Sequence, residues 1–156
     1  MQEKVLVLIS SIRQDLETIA EIFEALACHP LEVDADDDRL IVVGYRLHNL
    51  YNAFENVFEG IAAVFENSID EAGRWHVQLL ERMRLDTMPL RPAVIDDAAY
   101  DALDELRRFR HLFRHAYGTR LDPPRLQLVV RKAMALEGVY RAQVERFVGY
   151  LEGLVG

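Results

Sequence analysis

Residues 37–67 read DDRLIVVGYRLHNLYNAFENVFEGIAAVFEN and carry a helical pattern from end to end. Their apolar side chains recur every three or four residues, which is the spacing of one face of an amphipathic helix. These positions are Leu40, Val43, Leu47, Leu50, Phe54, Phe58, Ile61 and Phe65. An unbroken helix of this length spans about 45 Å. We therefore predict a long central helix against which the other segments pack.

The same spacing recurs on both sides of this stretch. One helix must stop before Pro30, because a residue that precedes proline avoids the helical region. Asp122-Pro123-Pro124 offers an N-cap residue followed by proline, a strong helix start. Further helices are predicted over residues 5–29, 75–83 and 125–154, and another that begins at Asp96 or Asp97 and ends near Gly118. Since no alternating strand pattern appears, we predict an all-α antiparallel bundle of four long helices and one short helix, formed by residues 1–156 as a single domain.

The composition excludes several classes of protein. With 156 residues, 51% of them hydrophobic and a net charge of −8, the chain is not a disordered tail. The single cysteine, Cys28, excludes a disulfide framework and a multi-thiolate metal site. The apolar stretches are too short for an export signal or a membrane span, so we expect a cytoplasmic protein without membrane contact.

The segment Arg107-Arg-Phe-Arg-His-Leu-Phe-Arg-His-Ala-Tyr117 is the most informative one for function. On a helical wheel Arg110 falls inside the apolar arc, between Leu103 and Tyr117. A cation in that position needs a partner or an unfilled interface, because desolvating an unpaired charge is costly. The remaining bases form one basic wedge: Arg107, Arg108, His111, Arg114 and His115. On periodicity alone, a solvated basic face that complements the helix dipole is the simpler explanation of the wedge, and it stays open. Arg110 in the apolar arc and two histidines one turn apart weaken it.

Arginine suits a phosphate and histidine moves protons near neutral pH, so this segment holds the minimum set for metal-independent RNA cleavage. Residues 107–125 hold six arginines against one acid, so they carry +5 while the rest of the chain carries −13. Such a distribution would focus RNA onto one place. His111 and His115 have a metal-binding spacing, but the flanking arginines repel a divalent cation, and no Glu-x-x-His pair supports a di-iron site. We predict neither a metal nor a cofactor.

The stretch Arg110-His-Leu-Phe-Arg-His115-Ala-Tyr117 has the form Arg-x4-His-x-Tyr at the end of a helix. It resembles the signature of the HEPN superfamily and, within it, the HepT-like toxins of bacterial and archaeal toxin–antitoxin pairs. A long helix carrying Leu47-His-Asn-Leu-Tyr-Asn-Ala-Phe-Glu55 and a short helix precede the motif, as in those proteins. The likeness covers about residues 5–150.

The resemblance implies a homodimeric, metal-independent endoribonuclease of a type VII-like toxin–antitoxin pair, with its cleft between two bundles. By analogy Arg110 and His115 are the catalytic pair, and the 2′-hydroxyl of RNA attacks the neighbouring phosphorus. Tyr117 corresponds to the tyrosine that a minimal nucleotidyltransferase antitoxin AMPylates, which would repel RNA from the cleft. Glu55 or Asn52 is a candidate for the polar residue of the long helix.

Three residues of the wedge, Arg107, His111 and Arg114, are predicted to support catalysis or to bind RNA. His111 and Arg114 stand inside the spacer, where smaller or apolar residues are usual, so the division of roles between His111 and His115 stays open. A second hypothesis keeps the fold without catalysis: an inactive HEPN protein that serves as binding partner and substrate of the nucleotidyltransferase. By contrast, His48 is expected to be an ordinary residue of the helix surface.

Overall fold

The computed structural model describes residues 1–66, 73–115 and 120–156. Within these ranges the chain forms helices and no strand, which confirms the all-α class. Six helices are described: α1 (Gln2–Cys28), α2 (Asp37–Phe65), α3 (Trp75–Met83), α4 (Asp97–His115), α5 (Pro123–Glu137) and α6 (Tyr140–Val155). No helix in this part of the chain is both long enough and apolar enough to cross a membrane.

The long helix α2 lies at the centre of the molecule and packs against α1, α3, α4 and α5. It begins where Asp36 caps it by accepting a hydrogen bond from the Arg39 amide at 2.8 Å. The predicted apolar face is buried as far as Ile61, and Phe65 is half-buried against the core. Gly44 and Gly60, two positions at which a helix could bend, lie within the continuous helix.

Helices α1 and α6 run in opposite directions beside each other. Gln2 Nε2 donates to the carbonyl of Val155 at 3.2 Å, and at the other end the rings of Phe23 and Tyr140 stack with centroids 5.2 Å apart. Helices α2 and α4 are also antiparallel. Gly44, near the start of α2, lies against Phe113, whereas Glu55, further along α2, pairs with Arg110, which comes earlier in α4. The bundle therefore brings the end of α4 to the first half of α2.

The prediction of one helix over residues 125–154 is wrong. The structure has α5 and α6 there, separated by Gly138 and Val139. The Val139 amide donates to the Leu136 carbonyl at 3.1 Å, a tightened last turn of the kind that ends helices. The apolar spacing hides this break, because Leu136 and Tyr140 are both buried on either side of it. Four long helices and one short helix therefore become six helices in the described residues.

Candidate functional site: a buried arginine between α2, α3 and α4

Arg110 occupies the position in α4 that the helical wheel predicts. Its neighbours on the same face, Leu103, Leu106 and Phe109, are buried in the core, and Arg110 itself is only 6% exposed. A guanidinium at this depth loses most of its hydration, so its stability there depends on the groups that replace water. Those groups come from two other helices.

Helix α2 supplies an ion pair and an amide to Arg110. Nη1 of Arg110 donates to Glu55 Oε1 at 2.7 Å and to Asn52 Oδ1 at 2.8 Å, while Nη2 lies 3.4 Å from Glu55 Oε2. The guanidinium carbon also lies 4.7 Å from the centroid of the Tyr51 ring, a cation–π contact. Glu55 and Asn52, both candidates from the sequence, therefore reach the predicted arginine together.

Helix α3 adds His76, which the sequence does not predict to be a functional residue. Nδ1 of His76 lies 2.8 Å from Glu55 Oε2 and 3.0 Å from Arg110 Nη2. The imidazole is partly exposed, and its ring lies against that of the neighbouring Trp75, with centroids 3.8 Å apart. Sequence spacing gave no signal for this contact, because 34 residues separate His76 from Arg110.

His48 also belongs to this cluster, so its expected place as an ordinary surface residue is wrong. It is half-buried, with Nε2 3.2 Å from Asn52 Nδ2 and its ring 5.7 Å from that of Phe113. Burial lowers the pKa of His48, and the positive charges of Arg110 and Arg114 lower it further. The imidazole is therefore held in its neutral form more strongly than an exposed histidine.

Two further groups report the electrostatics of the cluster. Burial raises the pKa of Tyr51, and the charge of Glu55 raises it again, so the phenol under Arg110 keeps its proton at neutral pH. Burial and the neighbouring Glu55 likewise raise the pKa of Glu59, one turn further along α2. Both shifts have burial as the larger cause and Glu55 as the second, as expected around a buried carboxylate.

The basic wedge of α4 divides into two parts. Arg107 and Arg108 are both held by Asp104, with closest distances of 2.8 and 2.9 Å, which neutralises part of the charge. Towards the helix end the side chains of His111, Arg114 and His115 are exposed, and the two imidazole rings lie 4.6 Å apart. The positive surface is therefore narrower than the arginine count predicts.

The two predicted catalytic residues, Arg110 and His115, lie in different surroundings. Arg110 is buried between helices, whereas His115 is exposed at the last described residue of α4. Among the described residues no hydrogen bond joins their side chains. Tyr117, the predicted modification site, and Gly118 lie outside the described residues.

Candidate metal ligands do not cluster in the described part of the chain, where no group of three or more His, Cys, Asp or Glu side chains could hold an ion.

A surface cavity of about 600 Å³ lies between α1 and α6, away from Arg110. Its charged lining residues include Arg13, which pairs with Glu152, and Arg141, which pairs with Glu17 and Glu145.

These features define an all-helical protein with an arginine-centred polar site where three helices meet. The chain belongs to the HepT-like family, because the family model described as "HepT-like protein" matches residues 42–151. No curated protein and no solved structure matches it significantly. HepT-like HEPN proteins are generally ribonucleases and usually act as dimers in toxin–antitoxin pairs, so membership indicates a HEPN-type ribonuclease toxin.

Proposed function

We propose that this protein is the toxin of a toxin–antitoxin pair and cleaves RNA without a metal ion, through Arg110 and His115. The 2′-hydroxyl attacks the adjacent phosphorus, and the products carry a 2′,3′-cyclic phosphate and a 5′-hydroxyl. Two copies of the chain form the cleft, with Arg107, His111 and Arg114 supporting the bound RNA. Family membership supports the ribonuclease class, and the surroundings of Arg110 support its role.

The observation that carries the proposal is the way Arg110 is bound. Its described partners are all side chains, Asn52, Glu55 and His76, so its guanidinium is oriented but not enclosed by the backbone. A guanidinium has five N–H donors, and Glu55 and Asn52 accept from it three times in the described residues. Nη2 also lies 3.0 Å from His76 Nδ1, so Nε is the donor without a partner among the described residues. This donor is the one proposed to meet a phosphate oxygen, from a guanidinium that is oriented before RNA arrives.

His115 suits the complementary task. It is exposed at the end of α4, next to His111 and Arg114, where a bound RNA strand would lie. In the proposed reaction His115 donates a proton to the leaving 5′-oxygen. A two-fold axis would place two such sets across a shared groove.

The test is cleavage of RNA in the presence of a chelator, with analysis of the new ends. We expect 2′,3′-cyclic phosphate ends from the wild-type protein and no cleavage from the double variant Arg110→Ala/His115→Ala. Arg131→Ala/His29→Ala is the matched control, because both residues are exposed and neither touches the Arg110 cluster. Equal cleavage by the double variant would refute the assignment of Arg110 and His115.

We further propose that a minimal nucleotidyltransferase antitoxin neutralises the toxin by AMPylating Tyr117. The added phosphate would bring negative charge beside the basic residues of the motif, and this repels RNA. Mass spectrometry after coexpression with the neighbouring gene product should find adenylyl groups on Tyr117 and none on a Tyr117→Phe variant. If the wild-type protein is AMPylated but never cleaves RNA, the hypothesis of an inactive binding partner replaces the ribonuclease proposal.

A further inference from the structure

His76 is the histidine that meets a carboxylate within the described part of the chain. Its Nδ1 lies 2.8 Å from Glu55 Oε2, and Glu55 is itself buried. The imidazole side chain is 30% exposed, so the ring leads from the buried carboxylate towards solvent. A buried carboxylate behind a partly exposed histidine is the arrangement that fixes the tautomer and orientation of a general base.

The contacts of Nδ1 decide which ring nitrogen carries the proton. Arg110 Nη2 can only donate, but the carboxylate oxygen of Glu55 is closer, at 2.8 Å against 3.0 Å, and is negatively charged. A lone pair on Nδ1 would face that anion, so we assign the proton to Nδ1, which donates to Glu55. The lone pair then lies on Nε2, on the opposite side of the ring from the carboxylate.

We propose that His76 is the general base of the RNA cleavage reaction, oriented by Glu55 and placed beside the phosphate that Arg110 binds. This inference rests on the proposed ribonuclease function and extends it to a residue outside the Arg-x4-His-x-Tyr motif. It leaves His115 with the opposite task, donation of a proton to the leaving group. The two histidines come from different helices, α3 and α4.

The step balances without any co-reactant. His76 Nε2 takes the proton of the ribose 2′-hydroxyl, and the 2′-oxygen forms a bond to the adjacent phosphorus. The bond from phosphorus to the 5′-oxygen breaks, its electron pair stays on that oxygen, and His115 supplies the proton. The products are a 2′,3′-cyclic phosphate and a 5′-hydroxyl, and the two histidines have exchanged their protonation states.

The other described histidines fit the base role less well. Asn52 Oδ1 accepts from Arg110, so its amide nitrogen donates to His48 Nε2 and occupies that lone pair. The remaining nitrogen of His48, Nδ1, is buried and has no partner among the described residues. His111 and His115 are exposed and have no carboxylate in contact in the described chain.

The first experiment compares His76→Gln with His29→Gln, a matched change at an exposed histidine. We expect kcat for RNA cleavage to fall about 100-fold or more for His76→Gln and to stay unchanged for the control. Binding of a 2′-deoxy RNA analogue, which cannot react, should keep its Kd in both variants. Unchanged binding distinguishes a lost base from a displaced Arg110.

The pH dependence provides a readout that a structural role would not change. The groups that face His76 are Glu55 and Glu59 of α2 and Arg110 of α4. Protonation of the base should lower kcat/KM on the acidic side of the profile, and this decrease should disappear in His76→Gln. Added imidazole should restore part of the activity of His76→Gly, because it supplies the missing lone pair.

A sulfur substitution separates the base from the acid. When the 5′-oxygen of the scissile linkage is replaced by sulfur, the leaving thiolate needs no proton. We expect this substrate to restore cleavage by His115→Ala and to leave His76→Gln slow. Restoration of both variants would overturn the assignment of His76.

Three results distinguish the inference from the function on which it rests. If the unmodified protein does not cleave RNA, the ribonuclease proposal itself fails, and the base assignment fails with it. If the protein cleaves and His76→Gln matches it in kcat and pH profile, only the inference about His76 fails. If a rise in the Kd of the 2′-deoxy analogue accounts for the whole loss of activity in His76→Gln, the assignment of His76 as the base is also overturned.

Discussion

Two buried arginines of this protein pair with glutamates at different points along α2. Arg110 pairs with Glu55 inside the helix, and Arg91 pairs with Glu66 at its C-terminal end. Arg91 is fully buried and donates to three backbone carbonyls, those of Leu85, Pro92 and Arg82, at 3.0 to 3.3 Å. Arg110 has only side chains as described partners.

This difference separates an arginine that holds the fold from the arginine that we propose for catalysis. Backbone carbonyls bind Arg91 and tie the loop between α3 and α4 to the end of α2. Because its side chain is fully buried, Arg91 offers no donor at the surface. The partners of Arg110 are polar side chains, and one of them, His76, is partly exposed at the surface. A buried arginine–glutamate pair alone therefore does not identify a site, whereas the identity of its other partners does.

The largest effect on stability is expected from Arg91→Met. This change removes the cation that pairs with Glu66 and donates to three backbone carbonyls. Removal of one partner of a buried ion pair costs about 3–5 kcal/mol. Chemical denaturation should therefore show a large decrease in the free energy of unfolding. Arg131→Met at an exposed position is the control, with an expected change of roughly 0.5 kcal/mol or less. A loss as small as the control would show that Arg91 does not hold the loop.

Arg110→Met should reduce stability less than Arg91→Met and should reduce RNA cleavage strongly. Its cost in stability is expected to be smaller, about 1–3 kcal/mol, because His76 still donates to Glu55 and the cluster reaches the surface. RNA cleavage should fall at least about 100-fold, the usual effect of removing one donor that stabilises the transition state. Denaturation and cleavage should be measured on the same preparation. A protein that is less stable than Arg91→Met but still cleaves RNA would contradict the contrast between the two arginines.

The sequence predicted one of these arginines and not the other, for a physical reason. Arg110 stands in a periodic helix, where its angle on the helical wheel is enough to place it among apolar neighbours. Arg91 stands in a loop between two prolines, where no periodicity applies and residue identity does not reveal the carbonyls that bind it. The sequence does not predict His76 or His48 for a related reason. The partners of His76 come from other helices, and the properties of His48 depend on its burial.

The fold shows the same limit of periodicity. Helices α1 to α3 have nearly the predicted bounds, because apolar spacing and the stop before Pro30 act locally. The break after α5 was missed because Gly138 has nearly helical dihedral angles, φ −71° and ψ −14°, so the apolar face continues across it. Predicting such a break requires knowledge of what Tyr140 packs against, namely Phe23 and Phe54.

Gly44 provides a test of how the end of α4 packs against the first half of α2. A Cβ at Gly44 would lie 2.8 Å from Phe113 Cε1 and 3.1 Å from Leu121 Cδ1, so the aromatic ring of α4 must move. We expect Gly44→Ala to lose about 1–3 kcal/mol of stability, typical of overpacking. Gly60→Ala is the matched change in the second half of α2, where the added Cβ meets only the end of Leu8 at 3.1 Å. Thermal unfolding that ranks Gly60→Ala as the more damaging change would contradict this.

The smallest expected effect is a dependence of stability on pH that arises at the Arg110 cluster and not at the Arg91 cluster. Burial, with the charges of Arg110 and Arg114, lowers the pKa of His48 below its ordinary value of 6.5 in the folded protein. At a pH between the pKa of His48 in the folded protein and its pKa in the unfolded chain, the unfolded chain binds a proton that the folded protein does not bind. Stability is therefore complete above about pH 6.5 and decreases as the pH falls towards the folded pKa.

Replacement of His48 tests this dependence directly. His48→Gln should remove that part of the acid sensitivity, because glutamine does not titrate in this range, while its amide can still meet Asn52. His29→Gln should leave the pH dependence unchanged, since that histidine is exposed and remote from Arg110. Denaturation curves at pH 5.5 and 7.5 measure the difference for each protein. If His48→Gln keeps the full acid sensitivity, another group of the fold is responsible, and the neutral imidazole beside Asn52 contributes nothing to it.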